Sequence, residues 1–243
     1  MDTAATASAL AALQSNIVTT FHTGAFFGSI LGYFSSSLLG IGRRPVLMAA
    51  MSIFLLGCVL ELIGNLPLLY TGRAFTGLGV GGSMVVLPIY IAECSPTPIR
   101  GRLVGIFEVM VQVAIVIAFW VNYGVQQNLP PNDTQWRIPF ALQIIPAVFC
   151  IISMPFMIES PRWLISNGHT AEARKALSWV RHLPEDHDFI NLEVNEIQAI
   201  ATLELEDGGD QGQRRLWREL FSPGVRNRVV LSLLLMLLQQ LTG

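Results

Sequence analysis

Charge is scarce in these 243 residues: only 13% are Asp, Glu, Lys or Arg, and the single Lys is Lys175. A soluble domain carries about a quarter. With 52% apolar residues, the chain cannot cover a globule with a wetted surface, so lipid must replace water over much of it. The net charge of −2 excludes general binding of nucleic acid or other polyanions. Cysteine is scarce too. Cys58, Cys94 and Cys150 are scattered through apolar runs, with neither metal spacing nor a disulfide framework, and read as small buried hydrophobes. No Lys or Arg precedes Arg43, so the basic region of a secretory signal is lacking. No nucleotide-binding loop, metal cluster or catalytic triad is present, which leaves nothing to support an enzyme or a cofactor.

What is abundant is apolar length. A spanning helix needs roughly 20 mostly apolar residues. Five runs qualify: Ile17 to Ile41, Val46 to Ile63, Ala74 to Ile91, Leu103 to Val121 and Ile138 to Ile158. A sixth begins at Val229 and runs to the last residue, Gly243. The runs are continuous rather than alternating, which excludes barrel strands. Residues 1–16 are small and mixed, and read as an extracellular leader; 17–166 read as a bundle of five spans. Residues 167–226 hold most of the acids, with apolar residues at helical spacing, and read as a soluble helical insert. Thr170 opens a helix there with an imperfect capping-box pattern. Asn191 to Leu205 predicts a second helix through Val194, Ile197, Ile200 and Leu203, and the GGDQGQ stretch at 208–213 is a break. Residues 227–243 read as the start of a further span.

Basic residues in short loops mark the cytoplasmic side. Arg43 and Arg44, Arg100 and Arg102, and Arg162 with the insert behind it fall on one side; the loops at 64–71 and 126–137 are nearly free of base. The insert is therefore expected inside, the N-terminus outside, and the sequon Asn132-Asp133-Thr134 outside as a glycosylation acceptor.

Several motifs sit at the span ends. The run Gly42 to Pro45 reads either as topogenic charge or as a turn whose Arg43 and Arg44 brace neighbouring helix ends. Gly72, Gly77, Gly79, Gly81 and Gly82 leave a helix face without side chains, for close packing or for a substrate path. Beside them Arg73 is expected to point inward at a carboxylate. Glu93, Arg100, Glu159 and Arg162 lie at cytoplasmic span ends and are expected in one cluster with Arg43 or Arg44. Glu108 lies inside a span at a cost of roughly 2.5–3.5 kcal/mol, so it faces either a structural partner or a substrate or proton; Gln112 is one turn on. Gln239 and Gln240 supply paired amides suited to hydroxyls.

In this order the motifs are specific. GRR, GRxxxGxGxG, PxYxxE followed by RG, ESPRWL, a helical insert and QQxxG together resemble the sugar-porter family of the major facilitator superfamily. The stretches TGAFFG, RGRLVG, FWVNYG and ESPRWL are most similar to its fungal and quinate-permease-like members. The resemblance implies an all-α membrane protein: a partial major-facilitator bundle, matching family helices two to six and the start of seven, plus a cytoplasmic helical insert. It implies a small-molecule substrate (a sugar, polyol or quinate-like acid), a lipid bilayer, a proton as possible co-substrate, and the plasma membrane. By that resemblance the family's hexose-contacting glutamine on helix five falls at Glu108, and its helix-seven pair at Gln239 and Gln240. Glu108 is associated with quinate-type members. The equivalent of Arg73 pairs, in proton-coupled members, with an Asp on helix one, which has no match in this chain; Glu61 and Glu108 are the acids left in the spans. Two departures stand out: Leu39 and Gly40 replace the acid and base that precede GRR, and Ile158 replaces the Pro that precedes ESPR. A chain matching one half of a carrier is expected to restore no uptake of sugar or quinate when expressed alone. The alternative reading is a non-transporting membrane fragment or a regulatory partner of a full-length porter.

Overall fold

In the computed structural model, residues 2–130, 132–206 and 222–241 are described. They divide into two units, Met1–Ile190 and Asn191–Gly243, and each is taken by itself. Among the described residues there is no strand.

The first unit is a bundle. Helix α1 runs Asp2–Tyr33 and continues through a π-helical turn at Phe34–Leu38. Then come α2 (Arg43–Leu62), α3 (Leu66–Cys94) and α4 (Arg100–Asn128). Next are α5 (Asp133–Leu142) and α6 (Ile144–Ser153), which continues through a short 3-10 turn to Phe156. The break at Gln143 has a local cause: Pro146 has no N–H to offer the carbonyl of Leu142, and its ring crowds that carbonyl. Two short helices follow, α7 (Pro161–Ser166) and α8 (Thr170–Arg181). His169, not Thr170, stands at the N-cap of α8, and no side chain caps it. Helix α9 (Asp188–Glu206) crosses the division, and α10 (Pro223–Leu241) belongs to the second unit. The expected break at 208–213 lies outside the described residues.

Among the described residues, four helical segments are long and apolar enough to cross a membrane: Arg43–Leu62, Leu66–Cys94, Arg100–Asn128 and Thr134–Phe156. The first expected span is not among them. Asn16, Thr19, Thr20, His22, Thr23 and Ser29 dilute the apolar content of α1, and the hydroxyls of Thr19, Thr20, Thr23 and Ser29 turn back onto carbonyls of their own helix. The helix also starts well before Ile17, so residues 2–16 are its first turns.

Close approach through glycine holds α1, α2 and α3 together. The glycines of α3 serve two neighbours rather than one face. A Cβ on Gly77 would strike the Phe21 carbonyl of α1, and one on Gly81 the Ala25 carbonyl. On the other side, a Cβ on Gly79 would lie 2.6 Å from the Ala50 carbonyl of α2, and one on Gly72 would lie 2.6 Å from Cγ of Glu61. Helix α1 reciprocates at Gly24, Gly28 and Gly32, whose added Cβ atoms would strike Ala74, Leu78 and Gly82 of α3. Backbones this close gain dispersion and need no polar glue, the usual solution where lipid removes the hydrophobic drive between helices. At the other end of α2 and α3, Val46, Leu47, Val86, Tyr90 and Met154 form a buried cluster.

Helix α4 is the exception. It is 29 residues long, apolar almost throughout, and has no buried residue. Its main neighbours are α3 and α5.

Candidate functional site

The densest polar network lies where α2 begins. A Gly at the N-cap of α2 offers no side chain to the first free N–H groups. Glu159, distant in sequence, replaces it: its carboxylate accepts from the backbone N–H of Arg43 (2.9 Å), of Arg44 (3.2 Å) and of Ser160 (2.9 Å). An acid over a helix N-terminus is also favoured by the helix dipole. Arg43 then reaches across to the end of α3. Its Nε and Nη2 donate to the two oxygens of Glu93 at 3.0 and 2.9 Å, and Nη1 donates to the Ser36 carbonyl at 2.5 Å. This two-pronged geometry is the strong form of the Arg–carboxylate bond. The pair is nearly dry, with side chains 16% and 10% exposed.

Ser160 is fully buried and joins both acids: its hydroxyl donates to Glu93 at 2.6 Å and accepts the Trp163 N–H at 3.3 Å, which caps α7. The Tyr90 hydroxyl donates to the Ile158 carbonyl at 2.8 Å. The Trp163 indole donates to the carbonyl of Gly40 at 3.0 Å, and Gly40 holds a positive φ of 62°. From α8, Arg181 donates to the last carbonyl of α3, that of Cys94, at 3.1 Å. One network therefore ties α2, α3, the 157–160 loop and the first insert helices.

Of the residues expected in this cluster, Arg43, Glu93 and Glu159 are brought together, Arg44 joins through its backbone, and Arg162 sits half-buried in the first turn of α7. Arg100 does not join. It is exposed at the first position of α4, and among the described residues no hydrogen bond or ion pair of its side chain reaches the network.

A second polar group lies deep between α2 and α3. Glu61 is fully buried. Its Oε1 accepts the Thr76 hydroxyl at 2.9 Å and stands 3.6 Å from Nε of Arg73. The missing side chain of Gly72 makes room for Glu61. Arg73 does point inward at a carboxylate, and that carboxylate is Glu61. The guanidinium also lies over the Phe140 ring of α5, 4.6 Å from its centre. Glu61 Oε2 and Arg73 Nε, both buried, have no hydrogen-bond partner. The sequence marked Glu61 as one of two acids left in the spans but not as a site residue; a carboxyl inside an apolar run was the available signal.

Glu108 and Gln112 are exposed on α4, with Gln112 Nε2 donating to Glu108 Oε1 at a long 3.4 Å. Two cavities flank the other end of α4. One, of about 670 Å³, is lined chiefly by apolar side chains of α2, α4, α5 and α6, including Phe54 and Ala147. The other, of about 620 Å³, is lined by polar side chains around Arg73. Neither is lined by Glu108 or Gln112. Gln239 and Gln240 lie on α10 in the second unit, and their side chains are outside the described residues. Asn132 is exposed at the N-cap of α5.

Comparison with known proteins agrees in kind. All of residues 1–243 match the family described as "Sugar (and other) transporter". A quinate permease of Neurospora africana is 39% identical over 246 residues, covering 98% of this chain and 45% of that protein. A probable quinate permease of Aspergillus flavus is 46% identical over 197 residues, covering 79% of this chain and 36% of that one. Among solved structures, the proton:xylose symporter XylE bound to 6-bromo-6-deoxy-D-glucose superposes with a TM-score of 0.73 at 28% identity, covering 83% of this chain and 46% of the other. The partially occluded inward-open form of the xylose transporter XylE from E. coli gives a TM-score of 0.70 at 27% identity. The chain thus spans less than half the length of the curated relatives it matches.

Proposed function

Because the chain belongs to the Sugar (and other) transporter family, we propose that it serves a sugar-porter-type carrier moving a sugar or a quinate-like polyol acid across a membrane, as a multi-pass protein of the plasma membrane. The similarity to XylE and to the permeases supports reading it as part of a transport protein of the major facilitator superfamily rather than an enzyme. The observation that carries the finer reading is the Arg43–Glu93–Glu159 network. It joins the start of α2 and the end of α3 to the 157–160 loop and α7 through directional bonds of the kind a two-state closure can make and break. In this reading Arg44 and Arg162 flank the closing network, Arg100 acts only when α4 moves towards it, and Arg73 answers a co-transported proton. By the family resemblance the candidate substrate-binding residues are Glu108 and Gln112 on α4 and, taken by themselves, Gln239 and Gln240 on α10; a carboxylate and amides suit hydroxyls.

A second reading is that this chain transports nothing by itself and is a membrane fragment or a regulatory partner of a full-length porter. The bare apolar length of α4, with no residue buried, favours it. Glu108 then faces hydrocarbon, where each unpaired substrate hydroxyl costs roughly 2–7 kcal/mol.

Uptake separates the two. Expressed alone in a transport-deficient yeast, the chain is expected to give no saturable uptake of radiolabelled quinate or glucose. Joined in frame to the parts of the Neurospora africana permease that it does not cover, it is expected to restore uptake, which Glu108→Ala abolishes. A chimaera that reaches the membrane folded and takes up neither solute overturns the carrier reading and leaves the second.

The orientation has its own test. With the 126–135 loop outside, Asn132 is expected to carry an N-glycan. Endoglycosidase treatment of the membrane-expressed chain should raise its mobility by one glycan, and Asn132→Gln should remove the shift. Labelling of residues 167–206 by an impermeant reagent added outside would reverse the orientation.

A further inference from the structure

We infer that the π-helical turn at Phe34–Leu38 is a register switch thrown by Arg43: the turn stays wide while the guanidinium holds the Ser36 carbonyl, and winds into the α-helix before it when the guanidinium leaves. The inference rests on reading the Arg43–Glu93–Glu159 network as one that opens and closes. A π turn is an α turn with one residue too many, and it recurs where a helix does more than pack.

The hydrogen bonds of the turn have slid along the chain. In an α-helix the carbonyls of Phe34, Ser35 and Ser36 would accept from Leu38, Leu39 and Gly40. Here Phe34 accepts from the Leu39 N–H at 3.0 Å, and Ser35 from the Ile41 N–H at 3.2 Å. Ser36, which is buried, accepts from Nη1 of Arg43 at 2.5 Å instead. Among the described residues the N–H of Gly40, its α-helical donor, makes no hydrogen bond. A guanidinium thus stands in for a backbone amide, and the displaced amide remains within reach in the chain. A left-handed Gly also closes many ordinary helix ends, but there its own N–H bonds back to the helix.

Gly40 suits both forms. It holds a φ of 62°, a left-handed conformation that Gly enters and leaves at little cost. Winding the turn carries it to the right-handed α region and hands its N–H to the Ser36 carbonyl. On the Arg43 side the network fixes which form is present. Glu93 takes Nε and Nη2, and Glu159 takes the backbone N–H, so the remaining nitrogen is aimed at Ser36. On the other side α1 cannot turn freely, because Gly32 meets Gly82 of α3 so closely that an added Cβ would lie 2.9 Å from the Gly82 Cα. The change is therefore passed forward to Gly40, whose carbonyl now accepts the Trp163 indole N–H at 3.0 Å. Winding the turn releases that bond, and α7 with it. Two exclusive donors for one carbonyl make a discrete, two-state element.

The test is hydrogen–deuterium exchange resolved to single amides across residues 34–41, on the whole chain in lipid nanodiscs. In the unaltered chain the amides of Leu39 and Ile41 are expected to be protected and that of Gly40 to exchange freely. In Arg43→Gln the Gly40 amide is expected to gain about tenfold protection, whereas a merely destabilising change speeds exchange throughout the turn. Gly40→Ala keeps Arg43 and disfavours the left-handed form, and nothing lies within 4 Å of the added Cβ. It is expected to give the same direction of change at position 40, and it decides the matter if Arg43→Gln does not fold. No gain in a folded Arg43→Gln overturns the switch, as does no gain in Gly40→Ala or a Gly40 amide already protected in the unaltered chain. Exchange is read without transport, so a failure of uptake leaves this result standing, and a failure here leaves the carrier reading standing.

Discussion

Glu93→Ala is expected to cost the folded chain about 3 kcal/mol, the lower end of the range for breaking a buried ion pair from one side. The pair is nine-tenths dry on the Glu93 side, so little water is at hand to replace the lost carboxylate. The variant leaves the Arg43 guanidinium with only the Ser36 carbonyl, and it leaves the buried Ser160 hydroxyl without its acceptor. Arg43→Ala strands Glu93 in the same way. The double variant is expected to cost less than the sum of the two, by about 1–3 kcal/mol, because each single change already breaks the shared bonds. Unfolding of the four proteins in mixed micelles, followed by helical signal, gives the cycle. A sum that is strictly additive would show that the two side chains are solvated independently and that the network does not act as a set.

Gly81→Leu is expected to be at least as damaging, at about 3 kcal/mol or more, beyond the ordinary cost of overpacking. Its added carbons have no side chain to push aside. They meet the backbone of α1 at Ala25, and only a shift of the whole helix relieves the clash. Helix α1 leans on α3 along its length, and a parallel lesion at Gly28 should look alike, since its Cβ would meet the Leu78 carbonyl. Gly105→Leu is the control: nothing lies within 4 Å of a Cβ there. Thermal stability in detergent should fall sharply for Gly81→Leu and Gly28→Leu and hardly move for Gly105→Leu. Amide exchange should rise along α1 first. Equal stability of all three would mean that α1 and α3 are not packed backbone to backbone.

Much of this was legible in the chain. The apolar runs predicted α2, α3, α4 and the paired α5 and α6, because a membrane demands continuous helices whose own backbone satisfies every N–H. The motif order identified the family and the polar residues at the helix ends. Arg43, Glu93 and Glu159 were expected together, since all three stand where spans meet the same side. Arg100 shared that position in sequence, but it is exposed, and among the described residues no bond of its side chain joins the network. The glycines of α3 were visible as a stripe, yet their division between two neighbours was not; the matching four-residue spacing of Gly24, Gly28 and Gly32 on α1 was the overlooked signal.

Composition and spacing alone determined the class of this protein: membrane-embedded, helical, with charge confined to the insert at 167–226, the span ends and a few interior positions. Those properties follow from the solvent, and lipid imposes them on every residue in turn. Which interior charge answers which was decided only by the tertiary structure. Glu61 and Arg73 are 12 positions apart on different helices, and their meeting depends on how α2 and α3 turn back on each other and on Gly72 leaving space between them. The same holds for Glu159 capping a helix that begins more than a hundred residues earlier. Burial, partner and geometry are properties of the packed bundle, because a guanidinium or carboxylate in a span takes its energy from whatever group the fold sets beside it.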